Sequence, residues 1–307
     1  MPRTYYGPYN EQNSTYPNAG NANFGRWPLG HILILPDHRE YRFALNDGTV
    51  EVAGNLYQSV APVTGHTNIA ADVVRAIGAV ALSATLNGTA PAADIYAEGY
   101  VHTNDGAGEA YSYRIRRANT AGAAHASAAS AAVLTVNLEA GETVQVALTT
   151  ASEITFTRNR YHAVLIHASP PTAALAGVSP GVAAADRFYW SQVKGYAAVL
   201  ANLTLLAGLP VQADIAVDGA VETYKRRARS GGTTVAGVVP TTMSYLRLVD
   251  QDGTTTDFLV AATVSTAVTA TYEITGPIAA NSPVVGMCIK ANATSEEALI
   301  DLTYLGR

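Results

Sequence analysis

Short apolar runs, separated by Gly, Asn, Asp and Pro, recur along most of this chain, and within several of them apolar and polar positions alternate. A period of two puts successive side chains on opposite faces of a strand. Val80, Leu82, Ala84 and Leu86 fall on one face of such a run. Tyr111, Tyr113 and Ile115 share a face while Ser112, Arg114 and Arg116 share the other. His31–Leu35, Tyr41–Leu45, Tyr96–Thr103, Val133–Leu138, Thr143–Leu148, Glu153–Thr157 and Tyr161–His167 are further runs of strand length. Asn46-Asp47-Gly48 predicts a hairpin joining Tyr41–Leu45 to Thr49–Val52, because Gly supplies positive φ in a tight turn. Asn104–Gly108 predicts a second hairpin, between Tyr96–Thr103 and Tyr111–Arg116. Only Asn68–Gly78 has helical spacing, with Ile69, Val73 and Ile77 four apart, and it predicts one to three turns.

Asp186–Val211 is the longest strand-like stretch. It opens on Phe188, Tyr189 and Trp190, which are expected to pack in the core. After it come Asp214–Val217, a hairpin of Tyr245–Val249 and Asp257–Ala262, the Val/Thr/Ala-rich Thr263–Ile274, then Val284–Lys290 and Ala298–Leu305. Pro170-Pro171 is the best boundary. The expected fold is mainly β, with antiparallel barrel or sandwich domains, an extended N-terminal arm and little helix: arm 1–40, β-rich domain 41–169 and second β-rich domain 170–307. The arm shows neither period. It carries Tyr5, Tyr6, Tyr9, Tyr16, Phe24 and Trp27, more aromatics than a solvated tail needs. Aromatics supply much of the contact energy in docking, so the arm is expected to grip a neighbouring subunit.

Composition adds a reason to expect assembly. Only 14% of the 307 residues are charged, against about 25% in ordinary domains. Lys194, Lys225 and Lys290 are the only lysines. Lysine commonly guards exposed strand edges, so a β-rich chain this short of it either hides its edges or pairs them with neighbours. The net charge of −5 argues against nucleic acid as the main partner. The Lys225, Arg226, Arg227 and Arg229 cluster is the one basic patch, read as a solvated loop or as a contact for an acidic partner subunit. The single Cys288 excludes an internal disulfide. No secretory signal and no apolar run of about 18 residues is seen, so no membrane partner is expected.

Catalytic and metal patterns fail on inspection. Gly177-Val-Ser179-Pro-Gly181 matches the nucleophile-elbow pattern, but all seven histidines precede Ser179, which breaks the Ser…Asp…His order of that fold. Asp250–Gly253 resembles a calcium loop only until Leu259 falls where the bidentate Glu belongs. Asn104, Asp105 and Glu109 suit turn chemistry better than a cation site. The expectation is a non-enzymatic protein with no cofactor and no metal.

Three stretches in this order and spacing carry a resemblance: GYVHTNDGAGEAYSYRI (Gly99–Ile115), VALTTASEITFTRNRYHAVLI (Val146–Ile166) and FYWSQVKGYAAVLANLTLLAGLPV (Phe188–Val211). They resemble virion structural proteins of tailed, mainly marine, bacteriophages. The closing PVVGMCIKANATSEEALIDLTYLG (Pro283–Gly306) is similar to the last strands of capsid cement, or decoration, proteins. The resemblance implies a capsid-surface component made in the host cytoplasm. Its implied partners are the major capsid protein and copies of itself, as a dimer or trimer. A tail, vertex or fibre component, or a virion carbohydrate-binding β module, is the alternative.

Overall fold

The computed structural model describes residues 4–17, 27–117, 124–224, 244–249, 255–260, 283–292, 296–303 and 305. Their strands are β1 (Thr4–Tyr6), β2 (Tyr16–Pro17), β3 (Ile32–Ile34), β4 (Glu40–Leu45), β5 (Leu56–Gln58), β6 (Ile69–Ala70), β7 (Ala81–Thr85), β8 (Tyr100–Asp105), β9 (Ser112–Arg114) and β10 (Val133–Asn137). Then follow β11 (Glu153–Thr157), β12 (Leu165–Ile166), β13 (Leu175–Val178), β14 (Arg187–Leu200), β15 (Pro210–Ala213), β16 (Val221–Thr223), β17 (Ser244–Val249), β18 (Thr255–Val260), β19 (Val284–Lys290) and β20 (Glu297–Leu302). A single 3-10 turn, Tyr9–Asn13, is the only helical element among the described residues. The fold is mainly β. Its sheets are largely antiparallel and pack in sandwich fashion; none of the described sheets closes into a barrel.

Twelve strands form one large sheet whose main path runs β1-β3-β4-β14-β20-β19-β15-β16. The 14-residue β14 is its hub. The first half of β14 pairs with β4 along Phe188↔Leu45 to Lys194↔Glu40, and its second half pairs with β20 along Gly195↔Leu302 to Leu200↔Glu297. The switch is made at a register shift between Gln192 and Lys194, followed by Gly195 at φ 82. A side chain at Gly195 would sit in the left-handed region and meet Arg39 Cγ at 2.9 Å, so the crossover depends on glycine there.

Each half of β14 lies over its own apolar cluster. Phe188, Tyr189 and Trp190 join Leu33, Tyr41 and Phe43 with residues of β7, β8, β10 and β11. Val193, Ala197 and Val199 join Leu56, Val211, Val285, Cys288 and Ile300. The small sheets β6-β11-β8-β9 and β10-β7 cover the first cluster. Cys288 is a buried free thiol.

The pairing does not follow a division at residue 170. Strands from both sides of that point pair directly, β4 and β5 with β14 and β13. The compact units are instead residues 1–223 with 282–307, and Tyr224–Asn281. Within the second unit, β17 and β18 form an antiparallel hairpin from Ser244↔Val260 to Val249↔Thr255. Thr263–Ile274 lies outside the described residues.

Three local expectations are corrected. Thr49–Val52 does not return along β4; Leu45 bonds Tyr161 and Val164 instead, and Glu51 bridges Ala183. Both flanks of β4 are already taken, by β3 and β14. Asn68–Gly78 is not helical. It lies extended along residues 144–152, with Ala71, Arg75 and Gly78 N–H bonding Ser152, Leu148 and Val144, while Val73, Val74 and Ile77 stay exposed. Thr143–Leu148, on the other side of that contact, forms no strand beyond the single bridge at Leu148.

Candidate interaction surfaces

The N-terminal arm has internal partners. β1 pairs in parallel with β3, and β2 pairs with β14 at Tyr16↔Phe188. Gln12 Oε1 accepts hydrogen bonds from the Arg39 guanidinium at 2.9 Å and from the Tyr41 hydroxyl. Trp27 is the pivot. Its ring stacks on Tyr5 at 5.4 Å and lies 5.1 Å from Trp190 and 5.5 Å from Phe43. Sequence alone assigned these aromatics to a neighbouring subunit. Tyr5, Tyr16 and Trp27 instead pack on the chain's own core, because Trp27 fills the space over Phe43 and Trp190. Tyr6 and Tyr9 are the arm aromatics that remain outside, 76% and 53% exposed. Phe24 and the quartet Lys225, Arg226, Arg227 and Arg229 lie outside the described residues.

A buried carboxylate pins the arm at Trp27–Leu29. Glu98 Oε2 accepts the Leu29 N–H at 2.7 Å, and Oε1 lies 2.9 Å from the Arg117 guanidinium. Arg117 also donates to the Trp27 carbonyl at 3.1 Å. Burial raises the Glu98 carboxyl to about 7 against the opposing pull of Arg117, the Leu29 N–H and Arg114. Sequence inspection passed over Glu98, since a lone Glu before a strand carries no pattern.

Other titratable groups are buried as well. His125 Nε2 accepts the Tyr96 N–H at 3.1 Å, so its proton sits on Nδ1, which donates to the Ala126 carbonyl at 2.8 Å. Burial lowers the His125 pKa and takes that of His162 down to about 4. Glu51 is buried beside the hydroxyls of Tyr57 and Tyr189, and burial pushes its carboxyl up to about 9. The Ser179 hydroxyl donates to the Gly181 carbonyl at 2.7 Å, and an irregular segment, not a helix, follows it. Thr155 donates to Asn104 at 2.6 Å and the Gly106 N–H to Asp105 at 2.7 Å, which is turn chemistry. Among the described residues no three His, Cys, Asp or Glu side chains gather in a way that could hold a metal, and no described helix is long and apolar enough to cross a membrane.

Exposed apolar side chains also line one face of the second half of the large sheet. Register places Tyr196, Asp301, Met287 and Pro210 in one row across β14, β20, β19 and β15. Ala198, Leu299 and Lys290 form the next row, with Ile289 bulged beside them, and Leu200 and Glu297 the row beyond. The inner partners Ala197, Val199, Ile300 and Cys288 are buried. Outside, Tyr196 is 55%, Met287 47% and Ile289 40% exposed. Alternation along Tyr196–Leu200 and Glu297–Leu302 is the sequence signal for this face.

The chain matches no family model, no curated protein and no solved structure.

Proposed function

We propose that this protein is a non-enzymatic structural component of a tailed-phage particle, a capsid cement or decoration protein that stabilises the shell by contacts with the major capsid protein and with copies of itself. The observation that carries this reading is where the resembling stretches fall. Gly99–Ile115 is the β8–β9 hairpin, Val146–Ile166 contains β11, Phe188–Val211 is the hub strand with the start of β15, and Pro283–Gly306 is β19–β20. All are framework rather than loops dressed with chemistry. The exposed apolar sheet face and the low charge suit a molecule that works by burying surface.

The ends of the large sheet suit assembly differently from the lysine argument. Its terminal strands β1 and β16 are only three residues long. Short edges offer little template for uncontrolled pairing, so association is directed to side-chain faces.

Copy number in purified particles tests the reading. A cement role gives hundreds of copies, with shells lacking the protein losing resistance to heat or to chelating and osmotic stress. A few copies, or a dozen, would move the protein to the tail or a vertex. Cryo-electron microscopy of the particle would then place it directly.

A further inference from the structure

Glu98 is a buried carboxylate on an unusual backbone. Its φ is 59, in the left-handed region that a residue with a Cβ occupies only where its surroundings impose it. Two bonds do so here. The Glu98 N–H donates to the Arg116 carbonyl at 3.3 Å, and its carbonyl accepts from Asn159 Nδ2 at 3.0 Å. The turn aims the side chain at the arm. Oε2 accepts the Leu29 N–H, while Arg117 lies 2.9 Å from Oε1 and donates to the Trp27 carbonyl. Trp27 is the residue whose ring packs on Phe43 and Trp190. One carboxylate and one guanidinium thus clasp both ends of Trp27–Leu29. The charged groups around them are Arg114 of β9, 3.7 Å from Oε2, Glu139 beyond β10, and His31 on the arm, with Arg42 of β4 bonded to the Gly30 carbonyl. On the segment of Asn159, Arg158 lies by Tyr96 and Arg160 bonds the Leu305 carbonyl.

We propose that Glu98 and Arg117 form a proton-controlled latch on the arm, closed while Glu98 holds a proton and loosened when the proton leaves. Closing the latch strips water from the carboxylate and gives back only the neutral Leu29 N–H, which disfavours the charged form. Burial outweighs the pull of Arg117, the Leu29 N–H and Arg114, and Glu139 adds repulsion, so the carboxyl is raised from 4.5 to about 7. Opening at Trp27–Leu29 readmits water and restores the ordinary value. The closed state therefore binds a proton that the open state releases. Closure is strongest below about 4.5 and is lost as pH rises through about 7. His31, stacked on Trp27 at 6.3 Å, acts in the opposite sense. Burial, Arg117 and Arg42 lower its pKa from 6.5, so its protonation at lower pH opposes closure.

Amide hydrogen exchange of the full-length protein tests this, because the Leu29 N–H is itself part of the latch. Protection is corrected for the intrinsic pH dependence of exchange. In His31→Gln, which removes the opposing titration, protection at Leu29 falls at least about ten-fold between about pH 5 and about pH 7 and then levels off. The wild type shows the same fall, made smaller by His31. Glu98→Gln keeps an acceptor for Leu29 but cannot titrate, so the fall disappears and the opposite trend of His31 remains. Arg117→Gln removes a charge that favours the ionised carboxyl, and the fall moves to higher pH. Protection at residues 195–200 stays level over this range in every variant, since the latch opens locally.

Protection at Leu29 that is flat, or that rises with pH, in His31→Gln would overturn the proposal, since the attraction of Arg117 would then outweigh burial. A fall that survives Glu98→Gln would assign the proton to another group and defeat it equally. Parallel loss at Leu29 and at residues 195–200 would mean global unfolding and no latch.

Discussion

The two halves of β14 belong to one strand and differ in what lies above them. From Phe188 to Val193 every residue is buried, with Trp190 against Trp27 and Phe43 and Tyr189 against Tyr57. From Tyr196 to Leu200 burial alternates: Ala197 and Val199 lie in the second core while Tyr196 and Ala198 face out. A strand covered on both faces reads as a continuous apolar run, and one covered on a single face reads as alternation. The first half is thus interior scaffold and the second half is surface with a backing. The same backbone runs through the interior at one end and carries an exposed face at the other.

The largest break in this contrast is Trp190→Ala. It empties a fully buried site contacted by Trp27 and Phe43, and should cost about 3–5 kcal/mol in denaturant unfolding. It should also expose the arm to hydrogen exchange. Glu98→Ala should follow at about 2 kcal/mol, by leaving the Leu29 N–H and a largely buried Arg117 short of an acceptor. Exchange at residues 27–29 should rise more than at 195–200.

Gly195→Ala tests the seam between the halves. With φ at 82 and Arg39 Cγ at 2.9 Å from the new Cβ, a loss of about 1–2 kcal/mol is expected from thermal unfolding. Tyr196→Ser should change stability by less than about 0.5 kcal/mol, six residues from Trp190 on the same strand. An equal loss at both positions would erase the distinction between scaffold and surface.

The buried acid Glu51, beside Tyr189 in the first half, gives a pH test of the same contrast. Its folded pKa, raised to about 9 by burial, means that the folded state holds a proton the unfolded chain has released above about 4.5. The stabilisation is complete below that lower value and is lost as pH rises through about 9. Wild-type stability should therefore fall from neutral to alkaline pH, and Glu51→Gln should flatten that fall. A profile unchanged by the substitution would remove Glu51 from the account.

Strand identity was legible wherever pattern is local. Val80–Leu86, Val133–Leu138, Glu153–Thr157 and Val284–Lys290 hold strands at 81–85, 133–137, 153–157 and 284–290, Asp186–Val211 holds the long strand at 187–200, and Ala298–Leu305 is strand as far as Leu302; β8 pairs with β9 and β17 with β18, as the hairpin readings expected. Pairing across distance was not legible. Asn46-Asp47-Gly48 offers the same turn chemistry as Asn104–Gly108, yet no hairpin forms there because β3 and β14 outcompete a local return. The arm's fate was hidden for the same reason: nothing in the spacing of Tyr5, Tyr16 and Trp27 says that the hole they fill lies over Phe43 and Trp190.

By itself, then, the chain determined its class, since alternating and continuous apolar runs leave no other way to bury them, and it placed Phe188, Tyr189 and Trp190 in the core. Tertiary structure decided which strands meet, that the arm closes on its own body, and that Tyr196, Met287 and Pro210 line up into one bare face. These depend on contacts between residues tens to hundreds of positions apart. The energy of such contacts is set by shape and register in space, which no local pattern encodes.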